Sequence, residues 1–198
     1  MKTIEEMRTL DLAREDYVPE KAERLDEKDM QWFRDAKFGM FIHWGLYSML
    51  GKGEWVLFNE QLDVKQYAAL AEDFSAKEFN AKKWARTARK AGMKYMVLTT
   101  RHHDGFSLFD SKASGYNSVN SAAKRDFVKE YAQACREEGL KVGFYYSPMD
   151  WRYPGYFFPQ MYWESAQEMK RQCWEQLEEL MTNYGKIDLL WFDGEWLG

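Results

Sequence analysis

Cysteine is scarce in this sequence, and long apolar runs are missing. The 198 residues include only 2 cysteines, Cys135 and Cys173, which are too few for a disulfide framework or a cysteine-ligated zinc site. No stretch approaches the roughly 18 apolar residues of a membrane-spanning helix, and the N-terminus lacks the apolar segment of a secretory signal. We therefore expect a cytoplasmic protein that does not associate with membranes.

A basic excess is missing as well. The chain has 28 Lys+Arg against 32 Asp+Glu, for a formal net charge of −4. Nucleic-acid-binding proteins usually carry a positive surface, so we do not expect a nucleic-acid partner. The composition, 45% hydrophobic and 30% charged, is typical of a globular domain, and 9 tryptophans supply flat apolar surfaces.

The chain divides into two regions by composition. Residues 1–30 are dense in charge, which predicts a solvated helical arm, and residues 31–198 carry the apolar pattern of a folded domain. Four short runs in the second region are apolar on both faces and rich in β-branched or aromatic residues, as buried parallel strands are. These runs are Met40–His43, Tyr95–Thr99, Val142–Tyr146 and Asp188–Phe192.

Helical periodicity fills the segments between these runs. Apolar residues recur at three- and four-residue spacing in Ala81–Ala88 after Asn80, in Phe127–Cys135, and in a long stripe from Trp163 to Tyr184 that includes Trp174 and Met181. A glycine follows each segment, at positions 92, 139 and 185. The alternation of strand and helix predicts an α/β fold with a parallel sheet.

Side chains that can do chemistry follow the predicted strands. His43 ends the first strand, His102 and His103 come after the second, Tyr145 lies near the end of the third and Asp193 comes after the fourth. Parallel strands end at one edge of a sheet, so we expect these groups to converge there. Adjacent residues of an extended chain point to opposite faces, which leaves open whether both His102 and His103 reach the site.

Three kinds of site fit this set of residues. Imidazoles and a tyrosine hydroxyl bind sugar hydroxyls, and a carboxylate can attack an anomeric carbon, as in a glycosidase. His43, His102, His103 and Asp193 can also ligate the metal of a metal-dependent barrel hydrolase, although no compact ligand motif supports this. The third interpretation is a sugar-binding module without catalysis.

Six segments bear a specific resemblance to one known family, the α-L-fucosidases of glycoside hydrolase family 29. They carry its opening signature, the loop after it, its second block, its third block in two parts with Trp151 following, and the block of its nucleophile: Lys37–Gly45, Gly53–Trp55, Ala91–Phe106, Arg125–Val128, Gly143–Ser147 and Asp188–Trp196. The resemblance runs in order from about Trp32 to the last residue.

The resemblance implies a (β/α)8 TIM-like barrel and a retaining, exo-acting α-L-fucosidase that uses no metal or cofactor. It assigns the nucleophile to Asp193. It assigns substrate contacts to His43, Glu54, Trp55, His102, His103, Tyr145 and Trp191. The implied ligand is a fucosylated oligosaccharide or glycoconjugate.

The family takes its acid/base carboxylate from a loop later than the nucleophile, so we expect that residue to be missing from this chain. A complete barrel takes about 250 residues, which predicts that only about the first four β/α units, an N-terminal half of the barrel, are present. Sheet edges left open near Met40 and Leu190 predict self-association. The alternative for such a chain is a weak or inactive fucose-binding fragment or pseudo-enzyme.

Overall fold

The computed structural model describes residues 26–194, which form an α/β fold around one parallel sheet. Most of the arm predicted for residues 1–30 lies outside this range, and the first described helix crosses the predicted boundary at residue 30. The elements are α1 (Glu27–Ala36), β1 (Gly39–Ile42), α2 (Val56–Asn59), α3 (Val64–Ala69), α4 (Ala81–Lys90), β2 (Tyr95–Arg101), α5 (Phe127–Glu137), β3 (Lys141–Tyr146), α6 (Pro154–Phe157), α7 (Trp163–Asn183) and β4 (Leu189–Phe192). Within residues 26–194, no helix is both long and apolar enough to cross a bilayer.

The four strands pair in parallel and in sequence order, β1-β2-β3-β4, as the alternation predicts. Ile42 stands opposite Leu98, which stands opposite Phe144 and then Leu190. The carboxyl ends of all four strands therefore lie at one edge of the sheet, where α/β proteins build their sites. β1 and β4 are the two outer strands of this sheet.

Helix boundaries follow the capping residues. Asn80 Oδ1 accepts a hydrogen bond from the Lys83 amide at 2.9 Å, and Asp126 Oδ1 accepts one from the Lys129 amide at 2.8 Å, so each begins a helix. Gly92 follows α4 with a φ of 84°, a left-handed conformation that favours glycine. These helices confirm the predicted ones.

The helices cover one face of the sheet. Met96, Leu98 and Phe144 are fully buried there. The Phe144 ring packs 6.4 Å from Tyr131 of α5 and 6.1 Å from Tyr184, just after α7. This face is the hydrophobic core, so the opposite face of the strands is free to build a site.

The predicted apolar stripe of α7 is wrong in part. Trp174 is 68% exposed and Met181 is exposed too, whereas Gln172 and Gln176 are buried. Gln176 Oε1 accepts from the Tyr146 hydroxyl at 2.9 Å, and its amide donates to Ser107 and Ser111. The two glutamines are buried because polar partners beneath the helix satisfy their amides, which no apolar period reveals.

Gly143 in β3 tests the packing of the sheet. A Cβ atom at this position would lie 2.7 Å from the Met96 carbonyl oxygen and 2.8 Å from Val97 Cγ2, closer than van der Waals contact allows. We expect Gly143→Ala to lower the free energy of unfolding by about 1–3 kcal/mol, because the neighbouring strand must shift. Denaturant unfolding measures this. Gly115→Ala, where a Cβ atom meets nothing within 4 Å, is the control, and an equal effect of both changes would contradict the packing argument.

Candidate active site

The carboxyl edge of the sheet gathers the chemically active side chains. Asp193 follows β4, and Tyr145 is the next-to-last residue of β3. The Tyr145 hydroxyl donates a hydrogen bond to Asp193 Oδ2 at 2.7 Å. The Tyr145 side chain is buried, whereas that of Asp193 is 31% exposed, so the carboxylate is held on one side and open on the other.

The three histidines surround this pair. The His43 ring lies 5.3 Å from the Tyr145 ring, and the His102 ring stacks on it at 5.6 Å with an interplanar angle of 8°. His103 Nε2 lies 3.8 Å from Asp193 Oδ2, beyond hydrogen-bond distance. The structure thus brings together five of the predicted site residues.

Both adjacent histidines reach the site, which resolves the alternative that the sequence left open. The pairing of β2 with β3 shifts between Thr99 and Arg101, and the chain then turns, with the Gly105 amide donating to the His102 carbonyl. The two imidazole centroids are 4.0 Å apart, and both rings are buried. Adjacent side chains point to opposite faces only in an extended strand, so two neighbouring residues of a turn can face the same side.

Asp104 stabilises this turn rather than the site. Its carboxylate accepts hydrogen bonds from the Tyr67 hydroxyl at 2.7 Å and from the Phe106 amide at 3.1 Å. Burial raises the pKa of Asp104 to about 6 despite these bonds.

The histidines are neutral at pH 7. Burial lowers the pKa of His102 to about 2 and that of His103 to about 4, although the negative charge of Asp193 opposes the second shift. Burial also lowers the pKa of His43, against the charges of Glu54 and Asp193. A neutral imidazole both donates and accepts a hydrogen bond, which suits it to bind a hydroxyl.

The remaining predicted residues border this centre. The negative charge of Glu54 reaches both His43 and His103 and raises their pKa values against the effect of burial. The Trp55 ring lies 5.2 Å from the His103 ring. Trp191 is 47% exposed and contacts the Phe41 ring edge-on at 5.4 Å.

Ser147 is a site residue that sequence reasoning missed. Its Oγ lies 2.6 Å from His103 Nδ1 and accepts a hydrogen bond from the Met149 amide at 3.1 Å. The Ser147 hydroxyl hydrogen has two acceptors within reach, His103 Nδ1 at 2.6 Å and the Met149 carbonyl oxygen at 3.3 Å, and the bond to the carbonyl is the longer one. The geometry favours a hydroxyl that donates to Nδ1 and leaves the proton of His103 on Nε2, facing Asp193. A serine directly after Tyr145-Tyr146 at a strand end was the available signal.

A buried ion cluster beneath the site was also missed. Arg101 pairs with Asp150 and donates to the Ser147 carbonyl at 2.6 Å, and Arg152 pairs with the same carboxylate at 2.6 Å. Burial disfavours the charge of Asp150, but the two guanidinium groups outweigh it and hold its pKa below the usual value. The cluster fixes the loop after β3, whose Trp151 amide donates to the His103 carbonyl at 2.9 Å.

The metal interpretation keeps three of its four residues. Ligand atoms of His102, His103 and Asp193 lie within 4.8 Å of one another, and His43 is not part of this group. Ligands about 2.1 Å from a tetrahedral zinc ion are about 3.4 Å apart, slightly closer than the 3.8 Å between His103 Nε2 and Asp193 Oδ2. Small side-chain movements would bring these groups to zinc-binding distance.

A parallel β/α sheet with a carboxylate among neutral hydroxyl-binding groups at its carboxyl edge is an arrangement that β/α-barrel glycoside hydrolases use. A family model described as Alpha-L-fucosidase matches residues 6–198. The chain therefore belongs to the α-L-fucosidase family, glycoside hydrolase family 29, as the motifs indicated.

Known members of the family show the same relationship in sequence and structure. The chain is 35% identical to the tissue α-L-fucosidase of Mus musculus, over 87% of this chain and 42% of that protein. A family 29 α-L-fucosidase from Bacteroides thetaiotaomicron superposes with a TM-score of 0.81 at 36% identity, covering 87% of this chain and 42% of the other. α-L-Fucosidase isoenzyme 1 from Paenibacillus thiaminolyticus is 46% identical, with a TM-score of 0.77, over 86% of this chain and 44% of the other.

The chain thus spans less than half the length of these three relatives. Its four strands and the helices between them correspond to the N-terminal part of the barrel that forms the catalytic domain of the family. The predicted α/β class and TIM-barrel membership are confirmed.

Replacement of Ser147 tests the arrangement around His103. We expect Ser147→Ala to let the proton of the neutral imidazole redistribute between Nδ1 and Nε2, because the hydrogen bond to Nδ1 is lost. Nitrogen-15 NMR of the histidine rings measures the tautomer. Ser147→Thr keeps the hydroxyl and serves as the control; a wild-type His103 protonated on Nδ1 would contradict the assignment.

The depressed histidine pKa values predict acid sensitivity. An unfolded chain takes up protons on His102 and His103 near pH 6.5, whereas the folded chain does so only near pH 2 and pH 4. These two groups therefore contribute stability above pH 6.5 that is lost as the pH falls below it. NMR titration should show both rings unchanged between pH 7 and pH 5. A ring that titrates near 6.5 would contradict the burial argument.

Proposed function

We propose that this chain carries the fucose-binding site and the nucleophile of a retaining α-L-fucosidase that releases terminal α-L-fucose from fucosylated glycans. The observation that carries the proposal is the partly exposed Asp193 carboxylate, held by the Tyr145 hydroxyl among three histidines. Membership of the α-L-fucosidase family supports it.

The proposed reaction is a double displacement. Asp193 attacks the anomeric carbon, the bond to the leaving oxygen breaks, and a covalent fucosyl-enzyme forms; water then hydrolyses it with net retention. A Bacteroides thetaiotaomicron relative, 35% identical with a TM-score of 0.81, has been trapped as a covalent intermediate with 2-fluoro-fucosyl fluoride, which supports this mechanism.

Tyr145 and the histidines have separate tasks in this proposal. Burial and the adjacent negative charge raise the pKa of Tyr145 above its usual value, so the phenol stays protonated and donates to Asp193. This hydrogen bond orients the carboxylate toward the sugar, and the carboxylate stays negatively charged because the phenol keeps its proton. The neutral imidazoles, with Glu54, hold the sugar hydroxyls, and a relative from Lactobacillus casei whose structure contains α-L-fucose product supports a fucose ligand.

The leaving oxygen also needs a proton, and general acid assistance typically contributes about 10²–10⁴-fold. We assign Glu54 to sugar binding and assign none of the carboxylates of residues 26–194 to proton donation. Activated fluorides and aryl fucosides depend little on this step, so they are the substrates on which this chain can be tested. Natural fucosides should react very slowly with the chain alone.

Covalent labelling tests the nucleophile. We expect 2-fluoro-fucosyl fluoride to add one 2-fluoro-fucosyl group to the chain with loss of fluoride, located on Asp193 by peptide mass spectrometry, because a leaving fluoride needs little acid assistance. Asp193→Gly should abolish the label. Glu54→Gln should retain it with a rate reduced roughly 10- to 100-fold, the loss expected for a charged hydrogen bond to the sugar.

Turnover of an aryl fucoside gives a second measurement. Azide should restore it in the Asp193→Gly variant by attacking the anomeric carbon from the vacated side and forming a fucosyl azide. A label on another residue, or unchanged turnover in this variant, would contradict the nucleophile assignment. Calorimetric binding of fucose without any label would instead favour a fucose-binding protein without catalysis.

A further inference from the structure

The turn that carries the two adjacent histidines packs against the loop after β3. Two direct contacts join them at one residue of the turn. Ser147 Oγ lies 2.6 Å from His103 Nδ1, and the Trp151 amide donates a hydrogen bond to the His103 carbonyl at 2.9 Å. The place of the His103 ring therefore depends on where this loop lies. Beneath both segments lies the ion cluster of Arg101, Asp150 and Arg152.

Arg101 connects the turn to the loop. It is the last residue of β2, directly before the histidine pair, and its side chain is fully buried. Its guanidinium donates to the Ser147 carbonyl at 2.6 Å and to the Tyr146 hydroxyl at 3.1 Å. The same guanidinium pairs with Asp150, whose side chain is also fully buried. One group thus holds three partners, and one of them is the backbone of the residue that contacts His103.

Asp150 and Arg152 hold the other side of the turn. The Arg152 guanidinium donates to the two oxygens of Asp150 at 2.9 and 2.6 Å. Gly105 ends the turn with a φ of 76°, and a Cβ atom there would lie 2.5 Å from Asp150 Oδ2 and would also collide with Arg152. The cluster and the turn are therefore in direct contact, and a movement of one displaces the other.

Stability alone does not explain buried charges at this place. Removing charged groups from water costs free energy, and apolar residues of similar volume often replace a buried ion pair with equal or greater stability. Met149 and Trp151 of the same loop are buried, so apolar side chains already anchor it. A guanidinium differs from them because its planar fork fixes the direction of several hydrogen bonds at once.

We propose that Arg101 is a positioning residue for sugar binding: it holds Ser147, and through Ser147 the His103 ring, where the imidazole meets a hydroxyl of the fucose. This inference rests on the proposed function, which makes His103 a sugar-binding group. Arg101 is 1% exposed and does not reach the sugar itself. Asp193 is held separately, by the Tyr145 hydroxyl. Arg101 therefore governs affinity for the sugar and leaves the reactivity of the carboxylate unchanged.

Arg101→Lys separates these two effects. Lysine keeps the positive charge but lacks the fork, so its ammonium cannot hold Asp150 and the Ser147 carbonyl in the same geometry. Calorimetry should show fucose binding weakened roughly three- to tenfold, the loss expected for one misplaced hydrogen bond. The rate of labelling at saturating 2-fluoro-fucosyl fluoride should stay within about twofold of the wild type. Partial unfolding would instead lower the fraction of chains that bind and leave the affinity unchanged.

A double-variant cycle tests whether Ser147 carries the effect. Ser147→Ala already removes the contact with His103 Nδ1, so Arg101→Lys should weaken fucose binding no further in that variant. Nitrogen-15 NMR follows the same coupling without a ligand. Arg101→Lys should let the proton of neutral His103 redistribute from Nε2, as Ser147→Ala does, and the double variant should match Ser147→Ala.

Arg136 offers a matched control. Its guanidinium also donates to two backbone carbonyls, those of Tyr184 and Lys186, but these lie before β4, at the opposite end of the strand from Asp193. Arg136→Lys should change neither the fucose affinity, nor the labelling rate, nor the His103 tautomer. Circular dichroism confirms that each variant is folded.

The outcomes distinguish the positioning role from the proposed function. Unchanged fucose affinity in Arg101→Lys, an unchanged His103 tautomer, or losses that add fully in the double variant would overturn the positioning role while Asp193 labelling still stands. Failure of the wild type to bind fucose and to label on Asp193 would overturn the proposed function, and the sugar-binding role with it.

Discussion

The parallel pairing of the four strands is the constraint on which the site depends. Because Thr99, Tyr145 and Trp191 stand opposite one another in β2, β3 and β4, the residues after them emerge side by side at the carboxyl edge. His43 and Asp193, which are 150 positions apart in the chain, thereby meet at one site. The pairing of β2 with β3 shifts after Thr99, and the chain turns directly afterwards. His102 and His103 therefore both lie on the side of the sheet edge that carries Asp193.

The charges around the site are separated by depth. Below it, Arg101 and Arg152 both pair with the fully buried Asp150, and this cluster holds the loop after β3. Above, burial keeps the three imidazoles neutral, and Tyr145 gives Asp193 a hydrogen bond without a positive charge. A carboxylate that is oriented but not paired with a cation keeps the electron density that attack on an anomeric carbon needs.

Local features of the chain were predictable because each depends on residues that are close together in the sequence. Asn80 and Gly92 delimit α4 in the sequence as they do in the structure, since a cap depends on one side chain and one glycine conformation. Trp174 shows where periodicity fails. The apolar residues of α7 cover more of the helix surface than packs against the sheet, so periodicity alone does not identify the buried face. That face is set by polar groups distant in the sequence, which form hydrogen bonds with Gln172 and Gln176.

The sequence by itself determined the α/β class, the four strands, the family and the candidate residues at the strand ends, because these follow from local patterns and from motifs that stay contiguous. Only the tertiary structure decided that both His102 and His103 face Asp193 and that Ser147 holds one of them. The physical reason is common to both. Each depends on distances between loops that separate strands bring together, and on burial that sets the charge of each group, and neither quantity is encoded in any one segment of the chain.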